Sequence, residues 1–501
     1  MALEYFNSKG VNTYLNPISS EMDGQLIHAV NVVSFPYGAK SKRPGYGTFL
    51  GTADGSQINS LLAFPMQDGT TLWLYRASGS TLYYSQQGTG AWATASNGTI
   101  SAGSYFNGAI LNNVFIGGDG AGSTRYTLDG TTFTNATLAP VAPYFAQYQN
   151  AIYAAGTAST LFKSTDNDAT NWNISGTSNS TSFTVPDEGK LGRIFVTADK
   201  LLATKNRGKM FQWDGNALSD LSTRYGPSSP WSIADIEDYR FYVNQFGHFG
   251  FDRSNTIQLL SNPVQRYFYN RQNTGFPGTI FPSAQGVTHI YDYFVAMGSV
   301  QDDFTNRPVN NAILNYNYQK NEYLLWQLND FPTAFLSYFD NANVRQLIFG
   351  NSTGQCFKLD PTKTSDNGNP ITTEMVYLFS YDSQGSSFTQ TSASSISGLT
   401  YEKKWDWIRL FFNPGDEINI QYAFSNTLTY QHLKWSEAIS TVNRTGDFYQ
   451  VSDGVVEIRF PMIENNIPRS RFLFLRIYDS SDSSAWTYYG AEIEATAQVI
   501  K

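Results

Sequence analysis

The densest cluster of charge in this 501-residue sequence is Lys40-Ser-Lys42-Arg43-Pro-Gly-Tyr46. Several cations within reach of one another favour a phosphate or a carboxylate. Lys40, Lys42, Arg43 and Tyr46 are therefore the candidate interaction residues, set to touch nucleic acid or an acidic neighbour. The simpler reading is a solvated turn ahead of a strand. A second cluster is acidic: Asp235, Glu237 and Asp238 in Ile233-Ala-Asp-Ile-Glu-Asp-Tyr239. Two carboxylates suffice for glycoside hydrolysis, but a solvated turn explains these as well. The four histidines, His28, His248, His289 and His432, form no HxH or HxxxH pair. Cys356 is the only cysteine, which leaves no intrachain disulfide and no thiolate metal site. His248, in Gly247-His-Phe-Gly250, reads as a strand position. Gly117-Gly118-Asp-Gly120 sits at a strand end with no helix after it and reads as a turn. No GxGxxG, P-loop or GxSxG elbow is present. No catalytic residue, cofactor or metal ligand is assigned, and the chain is not expected to be an enzyme.

The elements that must carry these residues are strands. Apolar residues come in short runs rich in Tyr, Phe, Val, Ile and Thr, separated by Gly, Asn, Asp and Ser. Between residues 55 and 365 a unit repeats: one hydrophobic strand, a polar turn, a second strand. The first-strand cores are Leu72–Tyr75, Val114–Ile116, Ile152–Ala154, Leu201–Ala203, Phe241–Val243, Phe294–Ala296 and Leu347–Phe349. Several second strands end in apolar, any, apolar, Asp. Asp129, Asp214, Asp252 and Asp360 close these copies, and Leu314-Asn-Tyr-Asn317 is a looser one. Alternation puts both apolar residues on one face, and the Asp caps the hairpin turn. Asp129-Gly130 and Asp214-Gly215 supply the pair that tight hairpins favour. Ser164-Thr-Asp166-Asn-Asp-Ala-Thr-Asn-Trp172 and Thr127–Phe133 resemble the structural Asp-box turns of sialidase-type propellers.

The spacing matches a propeller blade, and radial closure would remove the sheet edges. The expected fold is all-β: a six- or seven-bladed β-propeller over residues 55–365, with a terminal β-sandwich platform over 366–501. Residues 1–54 should pack on that platform. Pro361–Pro370 reads as a linker or long turn, and the Ser/Thr/Gln-rich stretch from Ser380 to Ser397 as a surface loop or insertion.

Composition excludes several classes. Charged residues are 15% of the chain and aromatics 15%, with 33 basic against 41 acidic residues and a net charge of −8. Disorder needs the opposite balance. A DNA groove-reader needs a basic face. No apolar run is long enough for a membrane helix, and the N-terminal residues show no signal peptide.

Residues 10–46 carry Gly-Val-Asn-Thr-Tyr-Leu-Asn-Pro, then Asp23-Gly24, Ala29-Val-Asn31-Val32 and Lys42-Arg43-Pro44-Gly45-Tyr46. This order resembles the N-terminus of phage tail nozzle or hub proteins, the tail tubular protein B-like and packaged-DNA stabilisation proteins of short-tailed phages. Trp405–Phe412 and Arg471–Tyr478 resemble that family's terminal platform. The resemblance implies a homo-oligomeric ring, usually six copies, below portal and adaptor proteins and beside tail fibres or spikes. Such a ring retains packaged double-stranded DNA and later passes it without sequence-specific binding. It would be assembled in the host bacterial cytoplasm and reside in the virion. The alternatives are a carbohydrate-binding or glycan-hydrolysing propeller and a protein-interaction propeller scaffold.

Overall fold

The computed structural model describes the chain except residues 1–2, 7–10, 12–24, 35–38, 269–283, 380–402, 461–468, 498–501 and short breaks of one to four residues. The Ser380–Ser397 stretch, Asp23-Gly24 and Glu237 lie outside the described residues. The fold is all-β, with only 3-10 turns and no α-helix among the described residues.

Five self-contained four-stranded antiparallel sheets follow one another along residues 58–259. Two further four-strand groups lie within larger sheets. One comprises Gly286–His289, Asp292–Asp302, Arg307–Asn317 and Glu322–Gln327. The other comprises Ala334–Phe339, Arg345–Gly350, Cys356–Asp360 and, from far upstream, Gly45–Thr48. The first strands of these units are neighbours in chain order. Ile58–Pro65 lies beside Asn107–Leu111, then come Tyr144–Tyr148 and Leu191–Thr197. The short turn Pro230–Ser232 carries the contact toward Ala234–Ile236 and Gly286–His289, and Ala334–Phe339 returns to Ile58–Pro65. Side chains bond across the unit boundaries. Ser60 Oγ accepts from the Phe106 amide at 2.9 Å, and Asn107 Oδ1 from the Phe145 amide at 2.9 Å.

Each apolar run expected to open a unit is instead its second strand. Leu72–Ser78, Ala151–Ala155 and Tyr239–Asn244 are examples. A second strand is covered on both faces by neighbouring units, so it reads as an unbroken apolar run. Every residue of Ala151–Ala155 is buried, whereas Asn107–Leu111 buries only its two ends. First strands lie against one another and carry a weaker signal.

Asp129, Asp214 and Asp360, at strand ends, are turn caps. Asp129 Oδ1 accepts from the Thr131 and Thr132 amides at 2.8 Å each, and Asp214 Oδ1 from Asn216 and Ala217 at 2.8 Å each. Asp360 Oδ1 accepts from the Thr362 amide at 2.9 Å, and Asp252 directly follows the strand Gly247–Phe251. Burial works against the Asp129 carboxylate, but the Thr132 and Thr131 amides outweigh it and hold its pKa down at about 2. Gly130 beside it has φ of 79°, and a Cβ there would sit 2.3 Å from the Trp73 ring. Only glycine meets both conditions. In the Asp-box-like segment Trp172 is buried and donates to the Ala169 carbonyl at 2.9 Å.

The remaining strands build a second body from both ends of the chain. In one sheet Val32–Ser34, Lys40–Lys42, Thr487–Ala497, Lys403–Phe412 and Val455–Arg459 run side by side. Leu3–Phe6 pairs with Thr487–Ala497. In the other, Gln25–Val30, Thr373–Phe379, Phe472–Asp479 and Asn419–Ser425 are neighbours. Trp405, Ile408 and Leu410 of the first sheet share one core with Met375, Tyr377, Leu473 and Leu475 of the second. Tyr377 meets Tyr488 with centroids 5.3 Å apart. The second sheet is continuous with a repeat unit, because Gln25–Val30 also pairs with Glu322–Gln327 through Val30 and Leu325.

Two expected boundaries therefore move. Residues 45–48 do not join the terminal body: they complete the last repeat sheet by pairing with Cys356–Asp360. The expected linker 361–370 is ordered structure, with Ser365–Asp366 added to that same sheet and Asp366 buried. Physically, a sheet left open at its outer edge is completed by whichever strand the connection brings back, here one from upstream.

Candidate functional site: a buried charged strap

Residues 25–34 and 39–48 form a strap that visits the terminal body, one repeat unit and the last repeat sheet in turn. The basic segment lies on it, but it faces inward. Lys40 is 0%, Lys42 6%, Arg43 1% and Tyr46 0% exposed. The expectation of an outward patch for nucleic acid or an acidic neighbour is corrected on this point: each side chain spends its polar atoms on this chain.

Arg43 is the most fully engaged. Its NH1 and NH2 groups grip Asp366 Oδ1 and Oδ2 at 2.8 and 2.5 Å. Its Nε donates to Asn31 Oδ1 at 2.8 Å, NH1 to the Pro44 carbonyl at 3.0 Å and NH2 to the Gln327 carbonyl at 2.9 Å. These five bonds use all five guanidinium donors. The forked geometry is what lets one buried cation serve three segments at once. Asn31 has φ of 62°, and its side chain also accepts from the Gln327 amide at 2.7 Å.

Lys42 Nζ donates to Asp479 Oδ2 at 3.1 Å and to the Ser481 carbonyl, tying the strap to the terminal body. Lys40 Nζ meets Glu322 Oε2 at 3.0 Å and Ser34 Oγ at 2.6 Å. Burial lowers the Lys40 pKa, and Glu322 opposes that shift. The Tyr46 hydroxyl donates to Asp330 Oδ2 at 3.1 Å and accepts from the Asp330 amide at 3.0 Å. Its ring stands edge-on to Phe349 and Phe357, with centroids at 5.0 and 5.1 Å. Burial, then the Asp366 charge, raises the phenol pKa.

A fourth ion pair lies on the same strap. His28 Nδ1 is 3.0 Å from Asp302 Oδ2, with side chains 5% and 0% exposed. Burial alone would lower the His28 pKa, but the charge and hydrogen bond of Asp302, with help from Glu374, raise it overall. Burial pushes the Asp302 carboxyl up, and His28 and Thr305 together more than reverse this. Asp302 Oδ2 also accepts from the Thr305 amide at 3.0 Å.

The other histidines behave differently. His248 is fully buried, and burial pushes it down to about 3, with Nδ1 2.8 Å from the Tyr323 hydroxyl. Burial and Arg345 push His289 down to about 4. Asp235 and Asp238 flank the turn after Ala234–Ile236, and Asp235 faces Arg240 at 4.0 Å with 69% of its side chain exposed. Cys356 is buried, and burial pushes its thiol up to about 12. Among the described residues no group of three His, Cys, Asp or Glu side chains is placed to hold a metal ion.

Sequence reasoning found the cations of the strap but not their partners. Glu322, Asp366 and Asp479 lie hundreds of residues away, with no local signal to mark them. His28 and Asp302 were missed altogether.

No family model matches the chain, and no curated protein does. Among solved structures it is similar to YCF48 from Cyanidioschyzon merolae, at 9% identity and a TM-score of 0.42, over 63% of this chain and 99% of that one. It is also similar to YCF48 bound to D1 peptide, at 11% identity and a TM-score of 0.40, over 64% and 99%. BamB from Moraxella catarrhalis gives 10% identity and a TM-score of 0.36, over 72% and 97%.

Proposed function

We propose that this chain is a structural protein of a phage tail, a nozzle or hub subunit. It forms a homo-oligomeric ring, six copies in this reading, that retains packaged DNA and later conducts it outward. In this reading the seven strand groups are the blades of a propeller closed by Gly45–Thr48, and the two facing sheets are a sandwich platform. The observation that carries it is the strap. Four buried ion pairs, on His28, Lys40, Lys42 and Arg43, fasten the repeat array and the terminal body into one unit. A gate under internal DNA pressure needs a subunit whose two bodies cannot hinge freely, and paired buried charges fix register.

Charge supports the same reading. A net charge of −8 leaves a lumen that does not hold phosphates tightly, so a polyanion can slide. The family order of motifs in residues 10–46 and the terminal strands support the tail assignment by resemblance. Neighbours above and below would be portal, adaptor and fibre or spike proteins, and the site of residence the virion.

The test is the mass and symmetry of the purified chain and its place in virions. A six-fold ring with an open lumen, and the chain among tail proteins of infectious particles, is the expected result. A monomer absent from such particles refutes the proposal.

A further inference from the structure

The first strands of the repeat units lie beside one another in chain order. Between them lies a cavity of about 390 Å³, within the range of small-molecule sites. Asn59, Arg193, Trp231, Asp235, Gln285 and Arg345 are among its lining residues. Its charge is uneven: the lining holds two guanidiniums and one carboxylate, that of Asp235. That carboxylate is the largely exposed one that faces Arg240.

One amide sets this cavity apart. Asn59 is 3% exposed, and its Oδ1 accepts from Gln57 Nε2 at 2.7 Å, yet its Nδ2 has no hydrogen-bond partner. Gln285, 8% exposed, is held against the Tyr105 hydroxyl. A buried unpaired amide costs about 1–3 kcal/mol. Such a donor beside two guanidiniums marks a place where an acceptor belongs. The cations are already aimed. Arg193 NH1 is held by the Ile233 carbonyl at 2.9 Å, and Arg345 Nε by Ser337 Oγ at 3.0 Å. Trp231 supplies a flat wall that is itself fixed, stacked on Tyr105 with centroids 4.5 Å apart.

We infer that this axial cavity is a binding site for a small organic polycarboxylate, whose oxygens accept from Asn59 Nδ2 and whose charge is met by Arg193 and Arg345. Two guanidiniums and an unpaired amide donor, against the one carboxylate whose charge acts on Arg193, favour an anion over a neutral sugar or polyol. The inference stands apart from the tail assignment, since it needs only a closed array of first strands.

The experiment is calorimetric titration of the full chain with citrate, and with sorbitol as a neutral probe of similar size. Citrate is expected to bind at one site and to change the tryptophan emission, a change lost in Trp231→Phe. Asn59→Asp keeps the shape and the existing acceptor oxygen but replaces the free donor with a repelling oxygen. It is expected to weaken citrate by about tenfold or more. Arg345→Gln, a second route should that variant fold poorly, is expected to weaken it comparably. No saturable citrate binding at about 10 mM overturns the inference. So does citrate affinity unchanged in a folded variant, or sorbitol binding as tight as citrate; ordered water then fills the cavity.

Discussion

On the strap, Arg43 uses all five of its donors within the chain, whereas at the cavity Asn59 keeps a buried nitrogen with no partner. Both regions bury polar groups, and both sit where several strands meet. The difference lies in whether the chain itself completes the bonding. Where it does, the charge is part of the fastening, and removing one partner strands the other in low dielectric. Where it does not, the polar group weakens the folded state and is free to serve a ligand.

The largest effect should come from breaking the most complete set of bonds. Arg43→Met leaves Asp366, Asn31 and the Gln327 carbonyl without their donor and is expected to destabilise by about 3–5 kcal/mol. Adding Asp366→Leu should recover a good part of that loss, because the stranded carboxylate goes with it. Urea unfolding of the two variants measures both. If Arg43→Met unfolds with the parent, the strap is not a fastening.

Lys42→Met is next, at about 2–4 kcal/mol, since Asp479 is left buried. Lys40→Met should cost less, because Glu322 is 12% exposed and can be reached by water. The same unfolding series ranks the three, and a reversed order of Lys40 and Lys42 would contradict the burial argument.

The His28–Asp302 pair makes a pH prediction. The folded His28 pKa is raised, so its contribution is complete below about 6.5 and is lost as pH rises through the folded value. The folded Asp302 pKa is depressed, so its contribution is present above about 3.9 and is lost as pH falls through the folded value. The pair is therefore strongest in the mildly acidic window between the two. Melting temperature followed from pH 5 to about 9 should fall by the equivalent of about 1–2 kcal/mol. His28→Gln should flatten that slope, and a variant with the parent's slope would assign it elsewhere.

The smallest effect is the sharpest contrast. Asn59→Leu replaces a buried amide whose nitrogen bonds nothing and whose oxygen accepts from the exposed Gln57, and it should be neutral or stabilising by up to about 1 kcal/mol in ligand-free protein. A loss as large as that of Lys42→Met would erase the distinction between the two regions.

Much of the fold was legible. Runs such as Ile152–Ala154 and Phe241–Val243 announced covered strands, and Asp129-Gly130 and Asp214-Gly215 announced their turns, because turn capping and two-sided burial are written locally. The first strands were not legible: Ala234–Ile236 and Gly286–His289 are short and mixed, and lie against one another. The strap was half legible. Its cations stand out as a run, but inward or outward orientation depends on Glu322, Asp366 and Asp479, which only the folded chain brings near. The cavity left no trace at all, because a missing hydrogen bond has no sequence signature.

The tail assignment makes one direct demand. Electron microscopy of infectious particles, at a resolution that traces this chain, should place six copies in a ring below the portal, each with its repeat array and terminal body in the fixed relation that the strap sets. Particles whose tail lacks this chain, or copies whose two bodies adopt unrelated orientations, would contradict the account.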